Sequence, residues 1–223
     1  MVTLKYDAVI FDLDGTLVDT LEDLADAMNR VLSCERAPVL SYATYKLLIG
    51  KGIRDLVGQA LPPGRRTDET IDRCFALMIA DYAEHCLVKT RRYDGVAELV
   101  SGLRAAGVRL AVLSNKSDEL TRRIVESLFD PGDFEVVMGA QPGRPLKPDP
   151  AVALLISDRL GVAPGRTVFL GDSGIDMLTA AAAGMIAIGA AWGFRTKGEL
   201  VECGARAVLD HPPGLLELLE LRR

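Results

Sequence analysis

Apolar residues follow two different rhythms along this chain, and the change comes near residue 90. Between residues 20 and 88 they recur at helical spacing, as at Leu21, Leu24 and Met28 in the first stretch. The breaker Pro62-Pro63-Gly64 interrupts this pattern. The spacing indicates no strand in this segment. It predicts a helical insert whose helices begin near residue 20 and then cover residues 41–48, 53–61 and 68–86.

Short apolar runs alternate with helical stretches in the rest of the chain. The runs predict strands over residues 6–11, 108–113, 134–138, 167–170 and 185–188. The periodicity predicts helices over residues 95–106, 117–129, 150–160, 175–183, 197–203 and 214–221. Strands that alternate with helices form a parallel, doubly wound α/β sheet, and such sheets bind ligands beyond the carboxyl ends of their strands.

Charge and cysteine usage narrow the function classes. The net charge is −5, from 26 Lys and Arg against 31 Asp and Glu, whereas nucleic-acid binding requires clustered basic residues. No apolar run approaches the roughly 20 residues of a membrane span, residues 1–5 show no signal-peptide pattern, and the four cysteines form no C-x-x-C pair. These features predict a cytoplasmic protein with a small-molecule partner and no nucleic-acid or membrane partner. They do not predict an oligomeric state.

Two acids end the first predicted strand. Asp12 and Asp14 are two residues apart, so in a continuing strand both carboxylates project to the same side. That arrangement is repulsive unless a cation offsets it, and Mg2+ accepts such oxygens while leaving room for a phosphate oxygen. Gly15 permits a tight turn and Thr16 adds a hydroxyl. Taken alone, these residues are equally typical of an acidic turn.

Two further strand ends carry groups that suit a phosphoryl group. Ser114 and Asn115 follow the strand over residues 108–113 and offer a hydroxyl and a backbone N–H. Lys147 follows the next strand, in a loop where three prolines restrict the backbone. An ammonium there would neutralise charge on a transferring phosphoryl group. The alternative interpretations are a polar turn and a solvated lysine.

The fourth strand end is acidic again. Asp172 and Asp176 follow the strand over residues 167–170 and are four apart at a predicted helix start, which places them on the same side of the first turn. One carboxylate could ligate a metal ion while the other orients a ligating water or Lys147. Helix caps use the same residue types. Because all four signals fall at the carboxyl ends of successive strands, we interpret them together as one catalytic site.

The four motifs resemble those of the haloacid dehalogenase-like hydrolase superfamily. They are Asp12-Leu13-Asp14-Gly15-Thr16, Ser114-Asn115-Lys116, Lys147-Pro148-Asp149-Pro150 and Gly171-Asp172-Ser173-Gly174-Ile175-Asp176. The resemblance implies a Rossmann-like core over residues 1–17 and 91–223 and a helical, C1-type cap domain over residues 18–90. Shorter stretches, among them Val18-Asp19-Thr20 and Trp192-Gly193-Phe194, are similar to phosphoglycolate phosphatases within the superfamily.

The resemblance also implies a role for each acid. Asp12 would be the nucleophile that becomes an aspartyl-phosphate, and Asp14 would act first as general acid and then as general base. Mg2+ would be held by Asp12, the backbone carbonyl of Asp14 and Asp172, with Asp176 as a ligand or beside the ligands.

The remaining motif residues would bind the substrate's phosphoryl group. Ser114, the Asn115 backbone and Lys147 would hold its oxygens. Thr16 would support the orientation of Asp14. Superfamily members that cleave carbon–halogen or carbon–phosphorus bonds lack an acid at the position of Asp14, so its presence favours phosphoester hydrolysis.

The predicted substrate is a small phosphomonoester, and 2-phosphoglycolate is the one that the resemblance favours. For its non-phosphate half we predict contacts from Lys51 in Gly50-Lys51-Gly52 and from Arg54, although a solvated turn is the alternative. Pyrophosphate, a nucleotide, a sugar phosphate and a sugar phosphomutase reaction stay open within the enzymes. A receiver-like binding module that is phosphorylated on Asp12 is the alternative from another class.

Overall fold

The structure is a computed structural model that describes residues 5–218, and a six-stranded parallel sheet forms its centre. The sheet order is β5-β4-β1-β6-β7-β8, and the strands along the chain are β1 (Ala8–Phe11), β2 (Val18–Asp19), β3 (Arg91–Arg92), β4 (Arg109–Ser117), β5 (Val136–Ala140), β6 (Thr167–Gly171), β7 (Ile186–Ala190) and β8 (Ala207–Leu209). Numbered within the sheet alone, this is the order 3-2-1-4-5-6 of the Rossmann fold. The predicted fold class is confirmed.

Helices follow the predicted segments to within about two residues at each end, the usual spread in helix boundaries. They are α1 (Leu21–Cys34), α2 (Tyr42–Leu48), α3 (Ile53–Ala60), α4 (Asp68–His85), α5 (Val96–Ala105), α6 (Asp118–Leu128), α7 (Ala151–Arg159), α8 (Gly174–Ala183), α9 (Lys197–Glu202) and α10 (Gly214–Glu217). The predicted end of the last helix at residue 221 lies outside the described residues. Among the described helices none is long and apolar enough to cross a bilayer.

β1 is the strand around which the core is arranged. Its four residues, Ala-Val-Ile-Phe, have no exposed surface, as expected for a parallel strand covered by helices on both faces. It pairs in parallel with β4 on one side and with β6 on the other. Since the strand order reverses between β1 and β6, the carboxyl ends of these strands border the crevice in which doubly wound sheets bind ligands.

Three strand features escaped the sequence pattern. The two-residue strands β2 and β3 pair antiparallel, with Val18 opposite Arg92 and Asp19 opposite Arg91, and they join the two ends of the helical insert. Two residues carry no periodicity, and the three half-buried residues of β8 carry little. β4 also runs beyond its predicted end, and its pairing with β5 shifts register between Leu113 and Ser117. Ser114 to Lys116 therefore belong to the irregular end of a strand.

A buried carboxylate fixes the point where the insert returns to the core. Asp23 on α1 is 3% exposed and accepts hydrogen bonds from the backbone N–H groups of Lys89 and Thr90 and from the Thr90 hydroxyl, at 2.8–3.0 Å. Hydrogen bonds to a charged group contribute about 1.5–3 kcal/mol each. The base of the insert is thus tied to α1, while the division into a core and a cap over residues 18–90 stays a prediction.

Candidate active site

Three buried carboxylates from two strand ends meet beside one lysine. Asp12 follows β1, and Asp172 and Asp176 follow β6. One carboxylate oxygen of each lies within 4.8 Å of the others. Nζ of Lys147 lies 2.8 Å from Oδ1 of Asp12 and 2.6 Å from Oδ1 of Asp176. When ionised, the three acids exceed the single ammonium by two negative charges.

The raised pKa values of Asp12 and Asp172 reflect this excess of negative charge. Burial raises the pKa of Asp12 from 3.8 to about 7; Lys147 opposes this shift, and Asp176 adds to it. Burial, with the charges of Asp176 and Asp12, also holds the pKa of Asp172 well above its ordinary value. Oxygen donors with surplus negative charge are what a hard divalent cation such as Mg2+ requires. The residues of this cluster therefore fit a Mg2+ ion, and Asp12, Asp172 and Asp176 are the side chains that would hold it.

Glycines allow the strand ends to approach this closely. Gly15 has φ of +83°, and a Cβ atom at this position would lie 2.2 Å from Oδ2 of Asp172. A Cβ atom at Gly171 would lie 2.3 Å from Cγ of Asp176. Any larger residue would therefore push a carboxylate out of the cluster or shift the backbone. The same oxygen of Asp172 accepts a hydrogen bond from the backbone N–H of Phe194 at 2.7 Å.

Asp176 links the start of α8 to the lysine. Its Oδ2 accepts hydrogen bonds from the hydroxyl of Ser173 at 2.6 Å and from the backbone N–H of Ser173 at 3.1 Å. Its Oδ1 accepts from Nζ of Lys147 at 2.6 Å. Asp176 therefore has the geometry expected of a residue that orients Lys147.

The carboxylate of Asp14 lies outside the three-carboxylate cluster. Its Oδ1 accepts hydrogen bonds from Oγ1 of Thr20 and from Nζ of Lys116, each at 2.6 Å. Its side chain is 12% exposed. The predicted metal contact of Asp14 is through its backbone carbonyl, which leaves this side chain free for proton transfer.

Thr20 makes the contact with Asp14 that was predicted for Thr16. The Thr16 hydroxyl is buried and has no hydrogen-bond partner among the described residues, while its carbonyl accepts from the indole N–H of Trp192 at 2.9 Å. Thr16 lies in the turn after β1, whereas Thr20 precedes α1 and its hydroxyl reaches Asp14. Thr16 ends the first motif and Thr20 ends the neighbouring stretch Val18-Asp19-Thr20, and their positions in the sequence alone do not tell which one faces the acid.

Asn115 connects three segments around the site. Its Nδ2 donates to the carbonyls of Gly50 and Lys147, each at 3.1 Å, and its Oδ1 accepts from the backbone N–H of Lys147 at 2.9 Å. Ser114 is 3% exposed and lines the same pocket as Asn115. The side chain of Asn115 thus fastens the insert and the lysine loop to the end of β4. This structural role is separate from the predicted contact between the Asn115 backbone N–H and a phosphoryl oxygen.

The pocket above the carboxylates lies between the core and the insert. Its lining comprises Asp12, Asp14, Leu24, Ile49, Gly50, Gly52, Ile53, Leu56, Ser114, Asn115, Lys116, Asp172, Ser173, Phe194 and Arg195. Neither Lys51 nor Arg54 is among the described residues that line the pocket. Lys51 is exposed, and Arg54 is half-exposed and forms an ion pair with Asp72 on the insert surface. The glycine-flanked turn instead faces the site with its backbone.

Two basic residues at the pocket were not among the predicted site residues. Lys116 belongs to the motif Ser114-Asn115-Lys116, in which the sequence predicts roles for Ser114 and Asn115 only. Arg195 follows β7 and donates hydrogen bonds to the carbonyls of Lys46, Leu47 and Ile49, at the carboxyl end of α2. The rule that ligands bind beyond strand ends would have pointed to Arg195, because it lies in the loop after the fifth predicted strand.

Comparison with known proteins gives one consistent family. The model of the haloacid dehalogenase-like hydrolases matches residues 9–190. A phosphoglycolate phosphatase from Rhodospirillum rubrum is 35% identical over 209 residues, which cover 91% of this chain and 86% of the relative. An N-acetylmuramic acid 6-phosphate phosphatase from Pseudomonas aeruginosa is 28% identical over 221 residues, covering 99% and 97%.

A solved structure extends the likeness to the whole fold. The crystal structure of a Lactobacillus delbrueckii subsp. bulgaricus protein, provisionally named a phosphoglycolate phosphatase, superposes with a TM-score of 0.91 at 33% identity and covers 97% of this chain and 99% of its own. The chain therefore belongs to the haloacid dehalogenase-like hydrolase family and resembles the phosphoglycolate phosphatases within it.

Proposed function

We propose that this phosphatase hydrolyses a small phosphomonoester, with 2-phosphoglycolate as the favoured substrate, through a Mg2+-dependent reaction and an aspartyl-phosphate on Asp12. One observation carries the proposal: a buried nucleophile candidate, Asp12, lies within 2.8 Å of an ammonium and inside a carboxylate cluster that fits a divalent cation. A second carboxylate, Asp14, lines the same pocket and is free of the cluster.

In the first proposed step a carboxylate oxygen of Asp12 attacks phosphorus. The bond between phosphorus and the ester oxygen breaks, and Asp14 in its protonated form donates a proton to that leaving oxygen. Lys147 and Ser114 hold the phosphoryl oxygens as charge moves onto them. When bound, Mg2+ would offset the charge of the acids and polarise a phosphoryl oxygen.

In the second proposed step Asp14, now ionised, takes a proton from a water molecule. The water oxygen attacks phosphorus, the bond to the Asp12 oxygen breaks, and inorganic phosphate and free Asp12 result. Both steps use Asp14, once as acid and once as base. Its separation from the metal-binding carboxylates supports this double use.

The substrate assignment is supported by the relatives and by the pocket. Phosphoglycolate phosphatases are prominent among the similar proteins, at about 30–35% identity. The predicted cap over residues 18–90 would close the pocket and exclude water. A sugar phosphate is the second candidate, because the Pseudomonas aeruginosa relative that spans nearly the whole chain is an N-acetylmuramic acid 6-phosphate phosphatase. Membership of the hydrolase family supports a phosphatase over the receiver-like binding module.

A substrate panel tests the proposal. Phosphate release would be measured with and without Mg2+ from 2-phosphoglycolate, pyrophosphate, a nucleoside monophosphate, a hexose phosphate, N-acetylmuramic acid 6-phosphate and p-nitrophenyl phosphate. A lead of about a hundredfold in kcat/KM for 2-phosphoglycolate corresponds to about 3 kcal/mol of differential transition-state binding and would support it. A flat panel, or a lead by a sugar phosphate, would overturn the substrate assignment and leave the phosphatase class intact.

A further inference from the structure

Lys116 is a buried charge that the two proposed steps do not use. Its side chain is 2% exposed at the irregular end of β4. The ammonium lies 2.6 Å from Oδ1 of Asp14, 2.8 Å from the hydroxyl oxygen of Tyr82 and 4.9 Å from the centre of the Tyr82 ring. Tyr82 belongs to α4 of the insert and is fully buried. One lysine of the core thus contacts both the proposed general acid and the insert.

The energetics of burial make these contacts specific. Moving an ammonium out of water is unfavourable unless charges and hydrogen bonds in the protein compensate for the lost hydration. Here a carboxylate, a hydroxyl oxygen and an aromatic face surround Nζ, and each is a favourable partner for a cation. Two of these three contacts come from Tyr82. Because charge-assisted hydrogen bonds depend on geometry, the position of Nζ, and with it that of the Asp14 carboxylate, depends on where α4 packs.

We propose that Lys116 is a positioning residue for Asp14 and that Tyr82 couples this positioning to the packing of the helical insert on the core. The inference rests on the proposed role of Asp14 in proton transfer. Thr20 holds the same oxygen from the start of α1. Two residues of the insert therefore orient Asp14. Thr20 contacts it directly, and Tyr82 acts on it through Lys116.

Leaving-group dependence separates positioning from a merely structural ion pair. Release of an alkoxide needs a proton from Asp14, whereas p-nitrophenolate is a weak base and leaves without one. Hydrolysis of the phosphorylated Asp12 needs Asp14 again for either substrate. A misplaced Asp14 would therefore slow phosphorylation by an alkyl phosphate, spare phosphorylation by p-nitrophenyl phosphate, and produce a burst of p-nitrophenolate.

The experiment is rapid-quench kinetics on the full chain with Mg2+, using p-nitrophenyl phosphate and the alkyl phosphate that leads the substrate panel. We expect Lys116→Met to slow phosphorylation by the alkyl phosphate about a hundredfold, and by p-nitrophenyl phosphate less than about threefold. Lys116→Arg should recover part of the loss because it restores the charge. Tyr82→Phe, which keeps the ring and removes the hydroxyl, should show the same selectivity at about fivefold.

Tyr45→Phe is the matched control. Tyr45 is also fully buried in the insert, and its hydroxyl donates to Oδ1 of Asn29 at 2.8 Å, away from Asp14. The control should match the parent protein with both substrates. Equal slowing of the phosphorylation step with both substrates by Lys116→Met and Tyr82→Phe, or no slowing of that step by either variant, would overturn the inference. If Lys116→Met does not fold, Tyr82→Phe alone decides.

The variant Asp14→Asn distinguishes a failure of the inference from a failure of the proposed function. If Asp14→Asn is selective for the alkyl phosphate and the Lys116 and Tyr82 variants are not, only the inference fails. If Asp14→Asn slows the phosphorylation step alike with both substrates, the proposed role of Asp14 as general acid fails, and the inference fails with it.

Discussion

The strand ends of the core and the helical insert contribute to the same pocket, but their side chains relate to it differently. From the core, the turns after β1 and β6 present their acids to the pocket and the irregular end of β4 presents the Ser114 hydroxyl, because parallel strands all end at one edge. From the insert, the pocket receives apolar side chains and the backbone of Gly50 and Gly52, while Lys51 and Arg54 face away. Sheet topology thus fixes the half of the pocket that carries the proposed catalytic groups, and helix packing fixes the half proposed to contact the rest of the substrate.

The largest expected effect lies in the core. Asp12→Asn should lower kcat by at least about 10⁴-fold, because it removes the nucleophile with little change in shape. Phosphate release and trapping of the phosphorylated protein would be measured, with circular dichroism to verify the fold. Asp158→Asn, an exposed acid on α7, is the matched control and should have no effect. Substantial turnover by the Asp12 variant would contradict the mechanism.

A pair of threonine variants tests the boundary between the two regions. Thr20→Val removes a 2.6 Å hydrogen bond to Asp14 and should lower kcat about tenfold with an alkyl phosphate. Thr16→Val removes a hydroxyl without a partner among the described residues and should change kcat less than about twofold. The reverse ranking of the two kcat values would restore the role predicted for Thr16.

For residues of the insert, and for Arg195 of the core that holds it, we expect smaller effects that act on substrate binding. Arg195→Gln removes the donors that hold the end of α2 and should raise KM about fivefold with less change in kcat. Arg54→Gln and Lys51→Ala alter exposed side chains and should change KM less than about twofold. Steady-state kinetics with 2-phosphoglycolate checks all three. A larger effect at Lys51 than at Arg195 would favour the contact predicted from sequence.

The smallest expected effect is a shift in thermal stability. The pKa of Asp12 is raised from 3.8 to about 7, so the folded protein binds more protons than the unfolded chain between these values. The contribution of Asp12 to stability is therefore lost as pH rises from about 4 through about 7 when metal is removed. Saturating Mg2+ should raise Tm on the order of 5–10 °C at pH 8 and less at pH 5.

Differential scanning fluorimetry in EDTA and in Mg2+ at the two pH values measures this difference. Asp12→Asn lacks the titrating group and should show a smaller dependence of the Mg2+ shift on pH. An equal Mg2+ shift at pH 5 and pH 8 in the parent protein would contradict the assignment of the cluster as the cation site.

The sequence predictions are accurate where a feature depends on neighbouring residues, and they fail where it depends on contacts between residues far apart in the sequence. Helix and strand positions come from local periodicity, so they agree with the structure apart from the irregular end of β4 and from β2, β3 and β8, which are too short to show a period. Asp12, Asp172 and Lys147 were predicted to lie together because strand ends share one edge. Lys116 and Arg195 were missed because their partners, Tyr82 and the end of α2, are remote in sequence.

The sequence by itself determined the fold class, the family and the groups that are proposed to surround a phosphoryl group. These depend on residue types at the ends of strands whose order is set by the alternation of strands and helices. Only the tertiary structure decided that Thr20 contacts Asp14, that Lys116 joins Asp14 to Tyr82, and that Lys51 faces solvent. The physical reason is that these contacts depend on how the helices of the insert rotate and pack against the core, and no local periodicity encodes that packing.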